Sequence, residues 1–417
     1  MYRVWYSTES FADFIIDHTL LSQLPHTKKK LYESDANNPN NFHTMPDHIR
    51  KILYLDAPDA IVEKDNEPVF SIEVTTEAGT GHNAFQRFAR VAASVENSVP
   101  AFYIYPEGKI VTRSSSGSIG YDEINPLVFS AMESLMSIYG IPALLYYFPT
   151  DDISVYRNSP KNSPHFKDKG LIYDSRIVQY AGCPDAMSTS MQAMFEALNE
   201  IIFGTEHLGV LPARTGLLRN LVIRNQRNYM QQQYTLKSVG RNQDDMSPLS
   251  AVKTVPTNYL MNYLSQYENK TYMIGELLRN RPYTCLYQID AKFRGDPYPG
   301  CLAAIDYLKC RQGLTFEDRR NNLAMVWGEV SVDHTNQTIF ISDNRGSTIS
   351  DFVSDVQGAS KHNLLTRYYN QLANKDKPRY FMQVRYGSTY SKVKHIRVYS
   401  YFADAILFPD GSLWRDA

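Results

Sequence analysis

The sequence predicts an α/β (α+β) fold, with a mixed central sheet flanked by helices and a further α+β domain after it. The first reason is the succession of hydrophobic periods, which runs β-β-α-β between residues 58 and 106. The second is the length of 417 residues, which exceeds what one ordinary hydrophobic core organises. The third is a composition with 43% hydrophobic and 21% charged residues, which is typical of globular proteins.

We expect three parts along the chain. Residues 1–150 hold the β-β-α-β core, residues 151–270 are mostly helical, and residues 271–417 form an α+β C-terminal domain. The first boundary rests on the segment 150–168, which is rich in Asp, Asn, Ser and Pro and is typical of a linker or a long loop.

Charge, cysteine usage and hydropathy exclude several classes of protein. A net charge of −1 does not suit a protein that coats nucleic acid without selectivity, although local basic patches remain compatible with binding. The four cysteines lack the C-x-x-C spacing of a zinc site, and we expect them to be reduced. No apolar run is long enough to span a membrane and the N-terminal residues lack a signal-peptide pattern, so we expect a cytoplasmic protein without a membrane partner.

Two short strands with a polar connection carry the most informative chemistry. Residues 60–62 form an apolar run after Pro58-Asp59, and residues 69–75 alternate as a second strand should. This alternation places Glu73 and Thr75 on one face of the second strand. Asp59 and Glu73 therefore put one carboxylate on each of two adjacent strands. Because Mg²⁺ prefers oxygen ligands and is typically held by one or two carboxylates, the pair predicts a magnesium site.

A helix is predicted after the second strand. Gly79-Thr80-Gly81 interrupts the strand pattern, Asn83 is suited to cap a helix, and apolar residues then recur at helical spacing. Gln86 and Arg90 lie four residues apart on this helix, with Arg87 beside them. Amide and guanidinium groups are thus expected near the two carboxylates, where they would position water or a phosphate.

In these residues the chain resembles the PD-(D/E)XK nucleases, and among them the type II restriction endonucleases. The match is Pro58-Asp59 on one strand and Glu73-Val74-Thr75 on the next, with Gln86 where many members have a helix glutamine. The resemblance covers residues 47–106 and does not extend by motif over the rest of the chain.

The resemblance implies a sequence-specific, Mg²⁺-dependent DNA endonuclease that hydrolyses phosphodiester bonds of double-stranded DNA, as in restriction-modification and phage defence. Members often act as homodimers on symmetric sites, so we expect a homodimer. Asp59 and Glu73 would bind Mg²⁺. The catalytic residues implied are Asp59, Glu73, Thr75, Gln86 and Arg87.

The sequence departs from the family at Thr75, where lysine is most often found. A hydroxyl does not carry the charge of an ammonium, so either Lys64 or Arg87 supplies the cation, or this copy of the motif is weakened. Two other interpretations of function therefore stay open. One is a nucleic-acid-binding protein with a degenerate nuclease core, and the other is a defence nuclease that acts on RNA or modified DNA.

The segment from Arg214 to Gln243 is rich in side chains that read base edges. Arginine pairs with guanine and Asn or Gln with adenine, each through two hydrogen bonds. Apolar residues between 217 and 222 favour a helix whose polar side faces outward, and a polar surface helix without a ligand is the other interpretation. The candidate DNA-binding residues are Arg219, Asn220, Arg224, Asn225 and Arg227.

A second acid-X-Lys pattern occurs at Asp290-Ala291-Lys292, at the end of a strand predicted over residues 284–290. Glu276 lies 14 residues before Asp290, the same spacing that separates Asp59 from Glu73. Glu276, Asp290 and Lys292 therefore form an alternative catalytic set, which contains the lysine missing from the first. No Pro-Asp precedes this strand, and the sequence that follows it is typical of a turn.

Further elements are predicted from hydrophobic spacing along the chain. Helices are expected over residues 10–24, 127–139, 187–204, 301–311 and 358–373. Strands are expected over residues 99–105, 143–148, 325–332, 338–342 and 395–408.

Overall fold

The computed structural model divides into two compact units. The first contains residues 1–33 and 45–240, and the second contains residues 34–44 and 241–417. The structure describes residues 1–32, 44–53, 57–75, 81–106, 108–112, 119–123, 126–148, 180, 182–239, 252–266, 278, 280–288, 321–326, 328–342, 382–383, 404–407 and 413–415.

The first unit is built on a mixed sheet, as the sequence predicts, and this sheet has six strands, of which those over Tyr2–Tyr6 and His26–Lys30 were not predicted. Its strands are β1 (Tyr2–Tyr6), β2 (His26–Lys30), β3 (Ala60–Lys64), β4 (Glu67–Val74), β5 (Ala101–Pro106) and β8 (Ala143–Phe148), and β6 (Gly108–Thr112) and β7 (Ile119–Glu123) form a separate pair. The spatial order in the sheet is β2-β1-β3-β4-β5-β8. Strand β3 is antiparallel to both of its neighbours, β1 and β4, whereas β4, β5 and β8 are parallel and β2 is parallel to β1.

Helices cover this sheet, which confirms the α+β class. The predicted helix over residues 127–139 and the predicted strand over residues 143–148 have these bounds in the structure. The helices are α1 (Glu9–Asp17), α2 (Asp47–Arg50), α3 (Gly81–Glu96), α4 (Leu127–Tyr139), α5 (Thr189–Leu208), α6 (Val210–Arg214) and α7 (Leu221–Ser238). The helix expected over residues 10–24 is shorter, because α1 ends at Asp17 and a 3₁₀ turn follows over Leu20–Gln23.

A tight hairpin joins β3 to β4. Asp65 and Asn66 both have positive φ, at 52° and 68°. Two consecutive left-handed residues are the requirement of a type I′ turn, whose twist matches that of the flanking strands. The polar connection predicted over residues 63–68 is therefore only Asp65 and Asn66, because the first strand continues to Lys64 and the second begins at Glu67.

The two faces of the sheet carry different side chains. Ser71 and Glu73 face α3, since Ser71 Oγ bonds Ser94 Oγ at 2.7 Å and Glu73 bonds arginines of that helix. Alternation then puts Phe70 and Ile72 on the opposite face, where the Phe70, Phe102 and Tyr146 rings contact one another. Helix α5 packs against β8 and β4.

Helix α7 packs against β8, α4 and α5, so it lies along the outer strand of the parallel half of the sheet. Covering an edge strand protects its backbone groups from pairing with other chains. The division at residue 240 consequently differs from the predicted boundaries at residues 150 and 270, because α5 and α7 belong to the first core. Hydrophobic spacing identifies helices but does not show which sheet they cover.

The second unit is also α+β, with a six-stranded sheet in the order β14-β16-β15-β11-β10-β9 and a separate hairpin of β12 and β13. The strand predicted over residues 325–332 is divided into two strands at Gly328, whose φ is 149°. A Cβ atom at this position would lie 2.3 Å from the carbonyl oxygen of Ser342, so a side chain does not fit there. The elements are β9 (Val252–Pro256), α8 (Thr257–Ser265), β10 (Tyr283–Gln288), β11 (Asn321–Val326), β12 (Glu329–Asp333), β13 (Thr338–Ser342), β14 (Met382–Gln383), β15 (Ala405–Leu407) and β16 (Leu413–Arg415).

Three of the predicted elements fall wholly or largely on residues outside the described ranges. The helices expected over residues 301–311 and 358–373 lie there entirely, and of the strand expected over residues 395–408 only residues 404–407 are described. In the described part of the chain, no helix combines the length and the hydropathy needed to cross a bilayer.

Candidate active site

The hairpin brings Asp59 and Glu73 together. Ala60 pairs with Ile72 in the antiparallel register, so the residue before β3 lies beside the residue after Ile72. The backbone N–H of Val74 donates to Asp59 Oδ2 at 2.8 Å, which ties the carboxyl group to the end of β4. The two predicted acids are therefore neighbours at the carboxyl end of a strand that runs parallel to β5, the end at which α/β sheets commonly bind ligands.

Two arginines of α3 reach Glu73, whose side chain is 1% exposed. Nη1 of Arg90 lies 2.6 Å from Oε1 and 2.8 Å from Oε2 of Glu73. Arg87 donates from Nη1 to the same Oε1. The two arginines differ in burial: the Arg87 side chain is 22% exposed, and the Arg90 side chain is 8% exposed.

The pKa of Asp59 is raised to about 7, from an ordinary value of 3.8. Burial of the carboxyl group is the largest cause, and repulsion from the Glu73 carboxylate adds to it. Attraction by Arg87 and Arg90 and the hydrogen bond from Val74 oppose the shift without cancelling it. A strongly raised carboxyl pKa beside a second acid is characteristic of functional sites.

Arg87 is held in its charged form. Burial, the strongest influence, acts to lower the pKa of this guanidinium, but attraction by Glu73 and by Asp59 gives a net increase. With Arg90, the site contains two carboxyl groups and two guanidinium groups. Its net charge is thus near zero when both acids are ionised.

Thr75 occupies the position at which the family most often has lysine. It is fully buried just after β4, and its N–H donates to the Ile104 carbonyl at 3.0 Å. Gln86 lies on α3, one residue before Arg87, and its side chain is outside what the structure describes. The structure therefore places both residues on the elements expected for them.

Lys64, one of the two cations considered as a replacement, does not belong to the site. It lies five residues after Asp59 on β3, about 16 Å away at the rise of an extended strand. Its Nζ bonds Glu206 at 2.8 Å. Of the two candidate cations, Lys64 and Arg87, the fold therefore brings only Arg87 to Glu73.

Tyr103 was not identified from the sequence, yet it pairs with Glu73 in the register of β4 and β5. Its side chain is fully buried. Strand register determines this proximity, and no motif signals it.

A second buried carboxylate on this sheet, that of Glu63, was also not identified from the sequence. Glu63 of β3 accepts a hydrogen bond from Arg3 and lies 2.6 Å from His48 Nε2. Its side chain is 2% exposed. Glu63 thus resembles Glu73 in burial and in having an arginine partner, but it lies away from Asp59.

The candidate DNA-binding residues divide into two groups. Asn220 caps α7 by accepting from Val222 and Ile223, and it donates to Glu200 at 2.7 Å. Arg227 is ion-paired with Glu133 of α4, with Nε 2.8 Å from one oxygen and 2.9 Å from the other. The side chains of Asn220 and Arg227 thus form the first group, which binds other residues of the protein. The second group is exposed and consists of Arg219, Arg224 and Asn225.

The alternative site, Glu276, Asp290 and Lys292, lies outside the described residues. Among the residues that are described, no group of three or more His, Cys, Asp or Glu side chains is placed to hold a metal ion. A site with two carboxylates stays compatible with Mg²⁺, which takes its other ligands from water and from phosphate oxygens.

Comparison with protein-family models, with curated proteins and with solved structures gave no match.

Proposed function

We propose that the first unit is a Mg²⁺-dependent endonuclease for double-stranded DNA, similar in chemistry to type II restriction enzymes. The observation that supports this most directly is the proximity of Asp59 and Glu73 beside two arginines of α3. Carboxylates for a divalent ion and guanidinium groups for a phosphate are what phosphodiester hydrolysis needs at one place.

The residues present fit a magnesium ion. A carboxylate offers about four lone-pair sites, and the arginines occupy three of those on Glu73. Asp59 uses Oδ2 for the Val74 N–H. One oxygen of each acid would hold the ion, and water and the DNA phosphate would complete its coordination. When bound, Mg²⁺ would lower the pKa of a water and offset negative charge at phosphorus.

The protein residues have separate roles in this proposal. Arg90 contacts both oxygens of Glu73 and is nearly buried, so it is a positioning residue. Arg87 is more exposed and contacts one oxygen, so it can turn toward a phosphate and supply the charge that Thr75 lacks. Gln86 would orient the attacking water from the same helix. Asp59 must lose its proton before it binds a metal.

Recognition of DNA is assigned to the exposed side of α7 and its start, where Arg219, Arg224 and Asn225 are accessible. A homodimer acting on a symmetric sequence in the cytoplasm completes the proposal. The second unit, with its own sheet, is available for further DNA contacts.

The test is cleavage of a long mixed-sequence DNA with and without Mg²⁺ by the full chain and two variants. Discrete fragments are expected from the unmodified protein with Mg²⁺ and should be lost in Glu73→Gln. Glu63→Gln is the matched control, because that carboxylate is as buried and also has an arginine partner. Absence of Mg²⁺-dependent fragments from the unmodified protein, or equal loss in both variants, contradicts the proposal.

A nucleic-acid-binding protein with a degenerate core is the second candidate. Thr75 in place of lysine and the neutralisation of Glu73 by two arginines favour it. A binder would retain DNA in a mobility shift, cut nothing, and change little in Glu73→Gln. A third candidate is a nuclease that acts on RNA. Duplex RNA would compete with DNA for binding to such a protein but not to a DNA-specific one, because the grooves of A-form RNA differ from those of DNA.

A further inference from the structure

A cavity of about 480 Å³ lies between the end of α1, the 3₁₀ turn after it, α5 and the start of α7. Glu196 of α5 lines the cavity. Burial raises the pKa of Tyr146, and the negative charge of Glu196 raises it further, so Glu196 lies near Tyr146. Tyr146 lies on the sheet face away from Glu73. The cavity is therefore separate from the candidate active site. Its volume is in the range of pockets that bind small molecules.

Backbone partners fix the orientation of the polar groups that line the cavity. The Leu20 N–H donates to Asn199 Oδ1 at 2.8 Å, so the NH₂ group of Asn199 is the end left free. Gln192 donates from Nε2 to the Ala186 carbonyl at 2.6 Å, so its oxygen is the end left free. Because an N–H must donate and a carbonyl must accept, neither amide can be reversed.

His18 and Glu200 are fixed in the same way. His18 Nδ1 lies 2.8 Å from the Phe14 carbonyl, so Nδ1 carries a hydrogen and donates to it. The imidazole also stacks on Phe195, with an interplanar angle of 12°. Glu200 accepts from Asn220 at Oε1 and retains Oε2.

The cavity is consequently rich in acceptors. Glu196 lines the cavity and is exposed, so its carboxylate adds to the acceptors of Glu200 and Gln192. Asn199 supplies the one fixed donor among these groups. Within the described residues, neither Lys nor Arg lines the cavity. A ligand that complements it must carry positive charge and several N–H groups.

The spacing of the acceptors favours an extended ligand over a metal ion. His18, Glu196 and Glu200 are not close enough to surround one ion, since no such group of three occurs among the described residues. Phe195 and Phe203 add aromatic surface to the lining of the cavity. A cationic group near an aromatic face is attracted to it, and an aliphatic chain packs against it.

We propose that this cavity binds a small organic cation, with an amine or guanidinium group at Glu196 and Glu200 and its hydrocarbon part against Phe195 and Phe203. Asn199, Gln192 and His18 are already oriented by their bonds to the backbone, and Glu200 by its bond to Asn220. Among the polar groups of the cavity, binding would therefore have to order mainly the exposed Glu196 side chain.

Titration calorimetry of the full chain with agmatine, which has a guanidinium at one end and an amine at the other, tests the proposal. We expect saturable binding with a Kd of about 1 mM or tighter, and none for butane-1,4-diol, a neutral molecule of similar length. Glu196→Gln should weaken agmatine binding about tenfold, which is typical for loss of one charge-assisted hydrogen bond. Phe203→Ser should weaken it about threefold through loss of ring contact.

Glu329→Gln is the control, because this exposed carboxylate lies in the second unit. It should leave the affinity for agmatine unchanged. Equal binding of the diol and agmatine, no binding of agmatine, or the same affinity in Glu196→Gln as in the control overturns the proposal. The result does not depend on whether the protein cleaves DNA, because the titration contains no DNA and the Glu196→Gln variant tests the cavity alone.

Discussion

Arg90 contacts both carboxylate oxygens of Glu73 through one nitrogen, at 2.6 Å and 2.8 Å, and both side chains are buried. The ion pair joins α3 to β4 at the point where the candidate active site is assembled. Removing Arg90 would leave the buried Glu73 with Arg87 as its remaining ion-pair partner, so part of its charge would lose compensation.

Arg90→Met should therefore destabilise the first unit by about 3 kcal/mol, the lower end of the range for breaking a buried ion pair, because Arg87 still compensates part of the charge. Denaturant unfolding followed by circular dichroism measures this. Arg227→Met is the control, since its partly exposed pair with Glu133 should cost about 1 kcal/mol or less. The double variant Arg90→Met with Glu73→Leu should recover much of the loss; if it is no more stable than Arg90→Met, the ion pair is not the cause.

Ionisation of Asp59 should destabilise the metal-free protein. Its pKa in the folded chain is about 7, above the ordinary 3.8, so the protonated form is favoured by folding. The stability that this shift contributes is present below the ordinary pKa and is lost as the pH rises through about 7. Asp59→Asn cannot ionise, so its melting temperature should exceed that of the unmodified protein by a few degrees at pH 8, with the gap narrowing toward pH 5. A gap independent of pH would show that Asp59 does not titrate in this range.

Mg²⁺ and protons should compete for Asp59. A carboxylate must lose its proton to bind a metal, so added Mg²⁺ should raise the melting temperature more at pH 8 than at pH 6. Differential scanning calorimetry measures this without any substrate. Asp59→Asn should remove most of the increase, whereas Glu63→Gln should retain it. An equal increase in all three proteins would place magnesium elsewhere.

The two arginines of α7, Arg224 and Arg227, should behave differently. Arg224→Ala removes an exposed charge and should weaken DNA binding severalfold and reduce its salt dependence, with unfolding unchanged. Arg227→Ala should lower stability through its lost bond to Glu133. Binding by fluorescence anisotropy at several salt concentrations, together with thermal unfolding, separates the two effects. Equal DNA affinity for Arg224→Ala and the unmodified protein removes this helix from the proposed interface.

Asn220→Ala should affect folding and not DNA contact. The Asn220 side chain accepts from two N–H groups at the start of α7, and loss of such a cap costs about 1 kcal/mol. Chemical unfolding measures that loss. Asn220→Ser is the control, because it keeps an acceptor for the cap and, like Asn220→Ala, loses the bond to Glu200. A variant as stable as the unmodified chain would show that the cap is dispensable.

The sequence by itself determined the α+β class, the succession of β3, β4, α3 and β5, and the positions of Asp59 and Glu73 on neighbouring strands, but it did not predict β1 and β2. Alternation with a period of two and apolar spacing near 3.6 are local properties, so helix α4 and strand β8 have their predicted bounds. The spacing of Arg87 and Arg90 on one helix is local in the same sense.

Only the tertiary structure decided which side chains meet. It separated Lys64 from the site, brought Arg87 and Arg90 to Glu73, placed Tyr103 beside it, and engaged Asn220 and Arg227 within the protein. It also attached α5 and α7 to the first core, across the predicted boundary at residue 150. The physical reason is that strand register and helix docking depend on residues far apart in the chain, whose contacts no local pattern encodes.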